Sequence, residues 1–263
     1  MARQSGGYGS GIAGASRLTS ARLIETVPET GSTNADLLMR LRGGESIPEG
    51  FWLHAVCQTG GRGRSGREWQ SPPGNLYAST LVHLEAADPP AQTLALVAGL
   101  AVYWTVRTEL GVDDPTLVLK WPNDVMVSDA KIAGILLERV QQSVVIGIGI
   151  NIANAPEIPG RKAASLNQLQ VEPEIEPSKV LAMLDREFWR ELTFWREEGV
   201  EHLIRRWTTA AHPKGAALSV HGADNGTVSG TFEGLAPDGA LRLRLPDGSS
   251  RVIHAGDVML GDE

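Results

Sequence analysis

The chain has 263 residues, 42% of them hydrophobic, which is enough to bury a substantial core in one large domain or in a medium and a small one. A formal net charge of −7 argues against general nucleic-acid binding, which leaves a basic footprint. Its one cysteine, Cys57, excludes an intramolecular disulfide and a cysteine-based zinc site, and predicts a reducing, cytoplasmic setting.

Residues 1–20, MARQSGGYGSGIAGASRLTS, are rich in Gly and Ser and lack the apolar run of a signal peptide, so a flexible arm is expected. An extended start and a helix follow in 22–44, with Ser32, Thr33 and Asn34 as N-cap types and Gly43-Gly44 as the stop. FWLHAVCQ (51–58) and NLYASTLVHL (75–84) read as strands. The longest apolar run, TLALVAGLAVYW (93–104), is too short to span a bilayer and predicts a buried helix within 90–111, ended by Gly111. Three strands are expected at 116–127, 131–140 and 143–152, the first two joined by a hairpin turn at 128–130.

Residues 156–177 read as a Pro-rich loop. In 178–199, Val180, Leu181, Leu184, Phe188, Leu192 and Trp195 recur at helical spacing, so this amphipathic helix, with Trp189 and Trp195, is read as core packing; a shorter helix runs to about 211. Near 214 the texture changes to short β-type runs, ALSVHG, GTVSGTFEGL, ALRLRLPDG and SRVIHAGDVML, punctuated by Pro-Asp-Gly at 237–239 and 246–248. The expected organisation is an arm at 1–20, a main domain at 21–213 and a small β-barrel-like domain at 214–263.

The segment GGRGRSGREW (60–69) combines glycines, whose backbone N–H groups approach an anion closely, with arginines, whose planar forks suit carboxylate or phosphate. It matches neither a P-loop nor a dinucleotide fingerprint opening a helix. A solvated hairpin tip is the plain alternative. In KWPNDV (120–125) Pro122 must break the strand, which projects Lys120, Asn123 and Asp124 from its end; Asp124 could hold Mg²⁺ or a ribose hydroxyl, and a simple turn is the alternative. Lys131 opens the apolar strand KIAGILLE (131–138), either facing a pocket or guarding a strand edge. Gly134 and the glycines of GIGIN (147–151) suggest close approach of a ligand or backbone, or a bulge, and Asn151 in a buried run needs a partner. Ser32, Thr33 and Asn34 at a helix start can read a polar head group, although an ordinary N-cap explains one of them. The six histidines show no metal spacing.

Taken in order, Gln58 followed by GRGRSGREW, then NLYAS, KWPNDV, KIAGILLE and GIGIN resembles the biotin protein ligase family, from GSTN at 31 to the C-terminus. The resemblance implies an α+β fold: a mixed β-sheet catalytic domain with helices on one face, plus a small C-terminal β-barrel-like domain. It implies ATP-dependent activation of biotin to biotinoyl-5′-AMP, with Mg²⁺, and transfer to a lysine of a biotin carboxyl carrier domain. In that pattern Arg62, Gly63, Arg64 and Lys131 surround the biotin carboxylate and the phosphate. Ser32, Thr33, Asn34 and Gln58 read the ureido end, with Gly134 close to the biotin. Trp69 packs on adenine and Asn151 reads its edge, while Lys120, Asn123 and Asp124 serve the triphosphate, ribose and Mg²⁺.

The short arm implies the monofunctional type, without the N-terminal DNA-binding domain that many bacterial members carry, acting as a monomer or weak homodimer away from membranes. A lipoate or octanoate ligase of the same fold and a biotin-binding regulator are the alternatives. The loop is expected to open for substrates and close over the intermediate.

Overall fold

The computed structural model describes residues 23–169, 175–221 and 226–260. The expected arm at 1–20 lies outside the described residues. In chain order the elements are β1 (Ile24–Thr30), α1 (Thr33–Arg42), β2 (Trp52–Gln58), β3 (Leu76–His83), α2 (Leu94–Trp104), β4 (Val118–Lys120), β5 (Asp124–Val127), β6 (Ala130–Val140), β7 (Ser143–Ile150), α3 (Pro177–Glu197) and α4 (Gly199–Ala210). Five further strands follow: β8 (Ala217–His221), β9 (Thr227–Leu235), β10 (Leu241–Arg244), β11 (Ser250–Ile253) and β12 (Asp257–Leu260).

The first seven strands form one mixed sheet in the order β1-β2-β3-β7-β6-β5-β4. Only β1 and β2 run parallel; the other neighbours are antiparallel. Successive strand residues point to opposite faces, and the two faces differ in chemistry. One presents Leu76, Ala78 and Val82 of β3 and Val144, Ile146, Ile148 and Ile150 of β7 to the large core. α2 packs there, buried almost all round, and so does the apolar stripe of α3: Val180, Leu181, Leu184, Phe188, Leu192 and Trp195 are each at most 1% exposed. Burying such side chains contributes roughly 1.5–3 kcal/mol each. The indole of Trp195 donates to Thr93 Oγ1 (2.8 Å), and that of Trp52 to Asp185 (2.9 Å), so the polar edges of these two fully buried rings are satisfied. Both α3 tryptophans are structural: Trp189 lies over Gly50, where a Cβ would fall 2.2 Å from its ring.

The opposite face carries a smaller cluster under α1, formed by Leu37, Leu38, Ile47, Phe51, Leu53, Leu81 and Val145. Thus α2, α3 and α4 form a layer on one face, while α1 covers part of the other and leaves the rest open. That open part becomes the pocket.

The 116–127 stretch folds as a tight hairpin rather than a continuous strand. β4 and β5 pair antiparallel with Lys120 opposite Asp124, and Trp121-Pro122-Asn123 makes the turn, with a cis Trp121–Pro122 bond. At 128–130, Ser128 and Asp129 both adopt positive φ, the backbone of a two-residue hairpin.

The last five strands form an antiparallel sheet in the order β11-β10-β9-β8-β12, open between β11 and β12 among the described residues rather than closed as a barrel. The run SRVIHAGDVML, one β-type segment in the sequence, supplies both outer strands, broken at 254–256. Leu218, Val220, Phe232, Leu241, Leu243 and Val258 join the large core, and Trp121 Nε1 donates to Gly239 O (3.0 Å). The small sheet is therefore fastened to the first beside the β4–β5 turn. Among the described residues no helix is long and apolar enough to cross a membrane.

Candidate active site

Because β1 and β2 are parallel, their C-terminal ends lie together. The chain leaves β1 through Gly31 into the N-terminus of α1, and leaves β2 into the Arg/Gly loop. Thr59 N–H donates to Thr30 O (2.9 Å) and Gly60 N–H to Gly31 O (2.8 Å), which keeps the two exits side by side. Ser32 is the N-cap, accepting from Ala35 N–H at 3.5 Å. Thr33, Asn34 and Gln58 are thereby brought next to one another.

The pocket has a volume of about 720 Å³. Every residue singled out in the sequence lines it: Ser32, Thr33, Asn34, Gln58, Arg62, Gly63, Arg64, Trp69, Lys120, Asn123, Asp124, Lys131, Gly134 and Asn151. Glycines of β6 and β7 make room for the side chains on its floor. A Cβ at Gly147 would fall 2.5 Å from Asn34 Oδ1, and one at Gly149 2.6 Å from the Trp69 ring. At Gly134 a Cβ would meet both Trp69 and Lys131 at 2.8 Å. The glycine pattern in KIAGILLE and GIGIN therefore reflects close approach of side chains from the facing loop and helix, and no bulge interrupts the β6–β7 ladder.

The Arg/Gly loop is folded on itself. Gly63 N–H donates to Arg67 O (2.7 Å) and Trp69 N–H to Gly61 O (2.9 Å), and a Cβ at Gly61 would lie 2.3 Å from Trp69 O. Arg64 reaches Asn123 Oδ1 (3.3 Å) and Gly256 O (3.5 Å). Arg67 pairs with Asp257 through both guanidinium nitrogens, one at 3.1 Å, and Arg161 lies 3.9 Å from the same carboxylate. The first strand-edge residue of β12 thus reaches into the site.

Asn123 is braced by Ile135, donating to its carbonyl at 2.6 Å and accepting its N–H on the backbone at 2.9 Å. Asp124 pairs with Lys131 at 2.5 Å, and the Lys131 ammonium sits 5.1 Å from the centre of the Trp69 ring, a cation–π geometry. Among the described residues Lys120 has no ion pair. Burial pushes its ammonium below the ordinary lysine range, opposed by the charge of Asp124 and helped by that of Lys131. Burial likewise opposes the charge on Arg64. The Arg67 hydrogen bond holds Asp257 below the usual carboxylate range against burial, aided by the charges of Arg67, Arg161 and Arg64. An anion entering here would restore charge balance to desolvated cations.

Asn151, 2% exposed, donates to Lys131 O (3.3 Å) and Ala164 O (3.1 Å), which is the partner its burial demanded. Asn75 of NLYAS is also buried. Its Oδ1 accepts N–H groups from Ile152, Ala153 and Asn154 at 2.9–3.0 Å and so shapes the exit of β7. Arg67 stood in the quoted arginine cluster without a role of its own, and Ser71, Ser79, Glu138, Arg161 and Asp257 were not singled out in the sequence. Ser79 and Glu138 lay inside the motifs NLYAS and KIAGILLE, whereas nothing local marks Asp257. Among the described residues no group of three His, Cys, Asp or Glu side chains is placed to hold a metal.

Residues 31–152 match the Biotin/lipoate A/B protein ligase family, and residues 219–261 the Biotin protein ligase C terminal domain. A biotin–[acetyl-CoA-carboxylase] ligase of Mycobacterium tuberculosis is 35% identical over 241 residues, covering 90% of this chain and 89% of that protein. Another, from Paracoccus denitrificans, is 34% identical over 243 residues, covering 88% and 98%. The structure of a biotin protein ligase from Aquifex aeolicus in complex with biotin and ATP matches with a TM-score of 0.77 at 27% identity, covering 92% of this chain and 99% of that one. The chain belongs to the biotin protein ligase family.

Proposed function

We propose that the chain activates biotin with ATP, giving biotinoyl-5′-AMP and pyrophosphate, and then transfers the biotinyl group to a lysine of a biotin carboxyl carrier domain. In the first step a biotin carboxylate oxygen attacks the α-phosphorus and pyrophosphate leaves. In the second the lysine amine attacks the acyl carbon, AMP leaves and the amine loses a proton. The observation that carries this reading is the convergence in one pocket of Arg62, Arg64, Lys120 and Lys131, from three separate segments, beside Trp69. Two anions must meet in the first step, and preorganised cations in a site shielded from water lower the cost of bringing them together.

In this reading Arg62, Gly63, Arg64 and Lys131 surround the carboxylate and the α-phosphate. Ser32, Thr33, Asn34 and Gln58 receive the ureido ring, with Gly134 beneath the ligand, and Trp69 stacks on adenine. With both amide protons of Asn151 directed at backbone carbonyls, its Oδ1 is the atom left to meet the adenine amine. Lys120 and Asn123 serve the triphosphate and ribose. Asp124 is the carboxylate on this wall suited to Mg²⁺. Magnesium commonly takes one or two carboxylates with phosphate oxygens and water, so Asp124 alone would be enough. When bound, the ion would neutralise charge on the phosphates.

The test is to incubate the protein with biotin, ATP and Mg²⁺, with and without a carboxyl carrier domain, following pyrophosphate and the carrier's mass. Biotin-dependent pyrophosphate and a gain of one biotinyl group are expected. A response to lipoate or octanoate in place of biotin would overturn the substrate.

A further inference from the structure

Glu138, the last residue of KIAGILLE, takes no part in the proposed reaction, yet it ends a chain of hydrogen bonds along the pocket floor that is buried through its middle. Asn34 Nδ2 donates to Glu138 Oε2 at 2.9 Å. Ser79 Oγ donates to Asn34 Oδ1 at 2.7 Å, and Thr33 Oγ1 lies 2.7 Å from Ser79 Oγ. Thr33 N–H donates to Gln58 Oε1 at 2.9 Å, and Thr33 Oγ1 lies 3.2 Å from that same oxygen. Gln58 Nε2 donates to Ser71 Oγ at 3.0 Å, and Ser71 Oγ donates to Trp69 O at 3.0 Å. Thr33, Asn34 and Ser79 are each at most 4% exposed, so water does not compete along this stretch.

Proton counting fixes the direction of the whole chain. A carboxylate only accepts, as does the more distant Leu136 carbonyl 3.5 Å from the same Nδ2, so the amide of Asn34 must turn its NH₂ toward Glu138 and its oxygen toward Ser79; the reverse would set two oxygens together. Ser79 then spends its one proton on Asn34. The 2.7 Å contact between Ser79 and Thr33 needs the proton of Thr33. From the other end, Ser71 spends its proton on the Trp69 carbonyl, so Gln58 must turn its NH₂ toward Ser71 and its oxygen toward Thr33. With its proton given to Ser79, Thr33 Oγ1 then faces Gln58 Oε1 at 3.2 Å with no hydroxyl proton to offer it, and Gln58 Oε1, which already accepts the Thr33 N–H, keeps one lone pair free. Both line the pocket.

We infer that Glu138 is a positioning residue that sets this order, so that Thr33 Oγ1 and Gln58 Oε1 stand as a paired acceptor for a ring N–H of the substrate. The inference rests on the proposed function, in which a cyclic urea enters this end of the pocket, and adds the reason for selectivity. An N–H completes the chain. A ring oxygen or a dithiolane sulfur at that point leaves the buried Thr33 hydroxyl and the half-buried Gln58 carbonyl facing a third acceptor, and unsatisfied desolvated polar groups are what give recognition sites their large rejection ratios.

The test compares Glu138→Gln and the wild-type chain in biotin-dependent pyrophosphate release, with biotin and with its cyclic carbamate analogue, in which one ring N–H is replaced by oxygen. An amide at 138 can donate as well as accept, so the strongest restraint on Asn34 is lost and only the long 3.5 Å contact to Leu136 O still opposes its reversal. The biotin KM is expected to rise about tenfold, the cost of one poorly satisfied buried group, with the ATP KM unchanged and kcat at saturating biotin little altered. The preference for biotin over the carbamate is expected to shrink by about the same factor. Ser79→Ala cuts the relay without touching Glu138, so it must lose the preference too, and it carries the test if Glu138→Gln fails to fold. Unchanged discrimination in the folded variants overturns the inference while leaving the function in place. A wild-type chain that ignores biotin overturns both.

Discussion

The ammonium of Lys131 lies 2.5 Å from the carboxylate of Asp124, on neighbouring strands whose register pairs Asp124 with Gly134. Lys131 is thus aimed into the pocket by a partner rather than left on a strand edge. Replacing it with Ala removes a cation from the proposed meeting point of carboxylate and phosphate. Biotin-dependent ATP–pyrophosphate exchange is expected to fall about 10²- to 10³-fold, the usual cost of losing one preorganised group that stabilises developing charge. The fold should persist, since Lys131 is not part of the apolar core. Near-normal exchange with an unchanged melting temperature would remove the role.

Asp124→Asn acts in the opposite sense on binding. Lys131 is then released from its carboxylate, so biotin without ATP or Mg²⁺ should bind a few-fold more tightly, while the overall reaction slows. Calorimetric titration of biotin checks the first part and pyrophosphate release the second. Weaker biotin binding in this variant would mean that Asp124 holds Lys131 in its working position rather than competing for it.

Much of this site was legible because its parts are local. Turn chemistry at Trp121-Pro122-Asn123, the N-cap at Ser32 and the glycines of β6 and β7 are signals spanning a few residues. The register of the antiparallel strands then brings the motifs together. The floor network was legible only in part: Ser79 and Glu138 stood inside quoted motifs, but their hydrogen bonds to Asn34 span 45 and 104 residues. Asp257 was invisible, because its pairing with Arg67 crosses 190 residues and depends on how the small sheet docks. The helical period of 178–199 gave the core stripe directly, whereas no local pattern told which face α1 would cover.

A methyl group at Gly149 would fall 2.6 Å from the Trp69 ring. Gly149→Ala must therefore displace Trp69 from the sheet, and with it the surface proposed for adenine. The ATP KM should rise about tenfold, in line with the energy of one aromatic stacking contact, with the biotin KM nearly unchanged. An equal rise in both constants would show that Trp69 supports the whole pocket instead.

Phe188 is fully buried on α3 and meets Trp52 of β2 edge to face, with ring centroids 5.8 Å apart. Phe188→Ala leaves a cavity between helix layer and sheet and should cost about 3–5 kcal/mol of unfolding free energy. Urea denaturation measures it. A loss below about 1 kcal/mol would mean that the helix layer collapses into the gap, contrary to a close-packed core.

The Arg67–Asp257 pair fastens the loop to the small sheet and makes a pH prediction. The folded-state carboxyl of Asp257 is depressed, chiefly by the Arg67 hydrogen bond. Its contribution to stability is then complete above the ordinary carboxylate range and is lost as pH falls through the lower, folded-state value. Both side chains are more than a third exposed, so solvent screening holds the contribution to about 1 kcal/mol or less. Wild type should exceed Asp257→Asn in urea midpoint by a constant margin from pH 5 to 7, roughly, and the margin should close only as the solution becomes more acidic than an ordinary carboxyl's midpoint. The same substitution should loosen the loop, giving faster amide exchange at residues 63–67 in the ligand-free protein and little change once the intermediate is bound. A margin that widens on acidification would reverse the sign of the linkage and show that the pair does not hold the loop in solution.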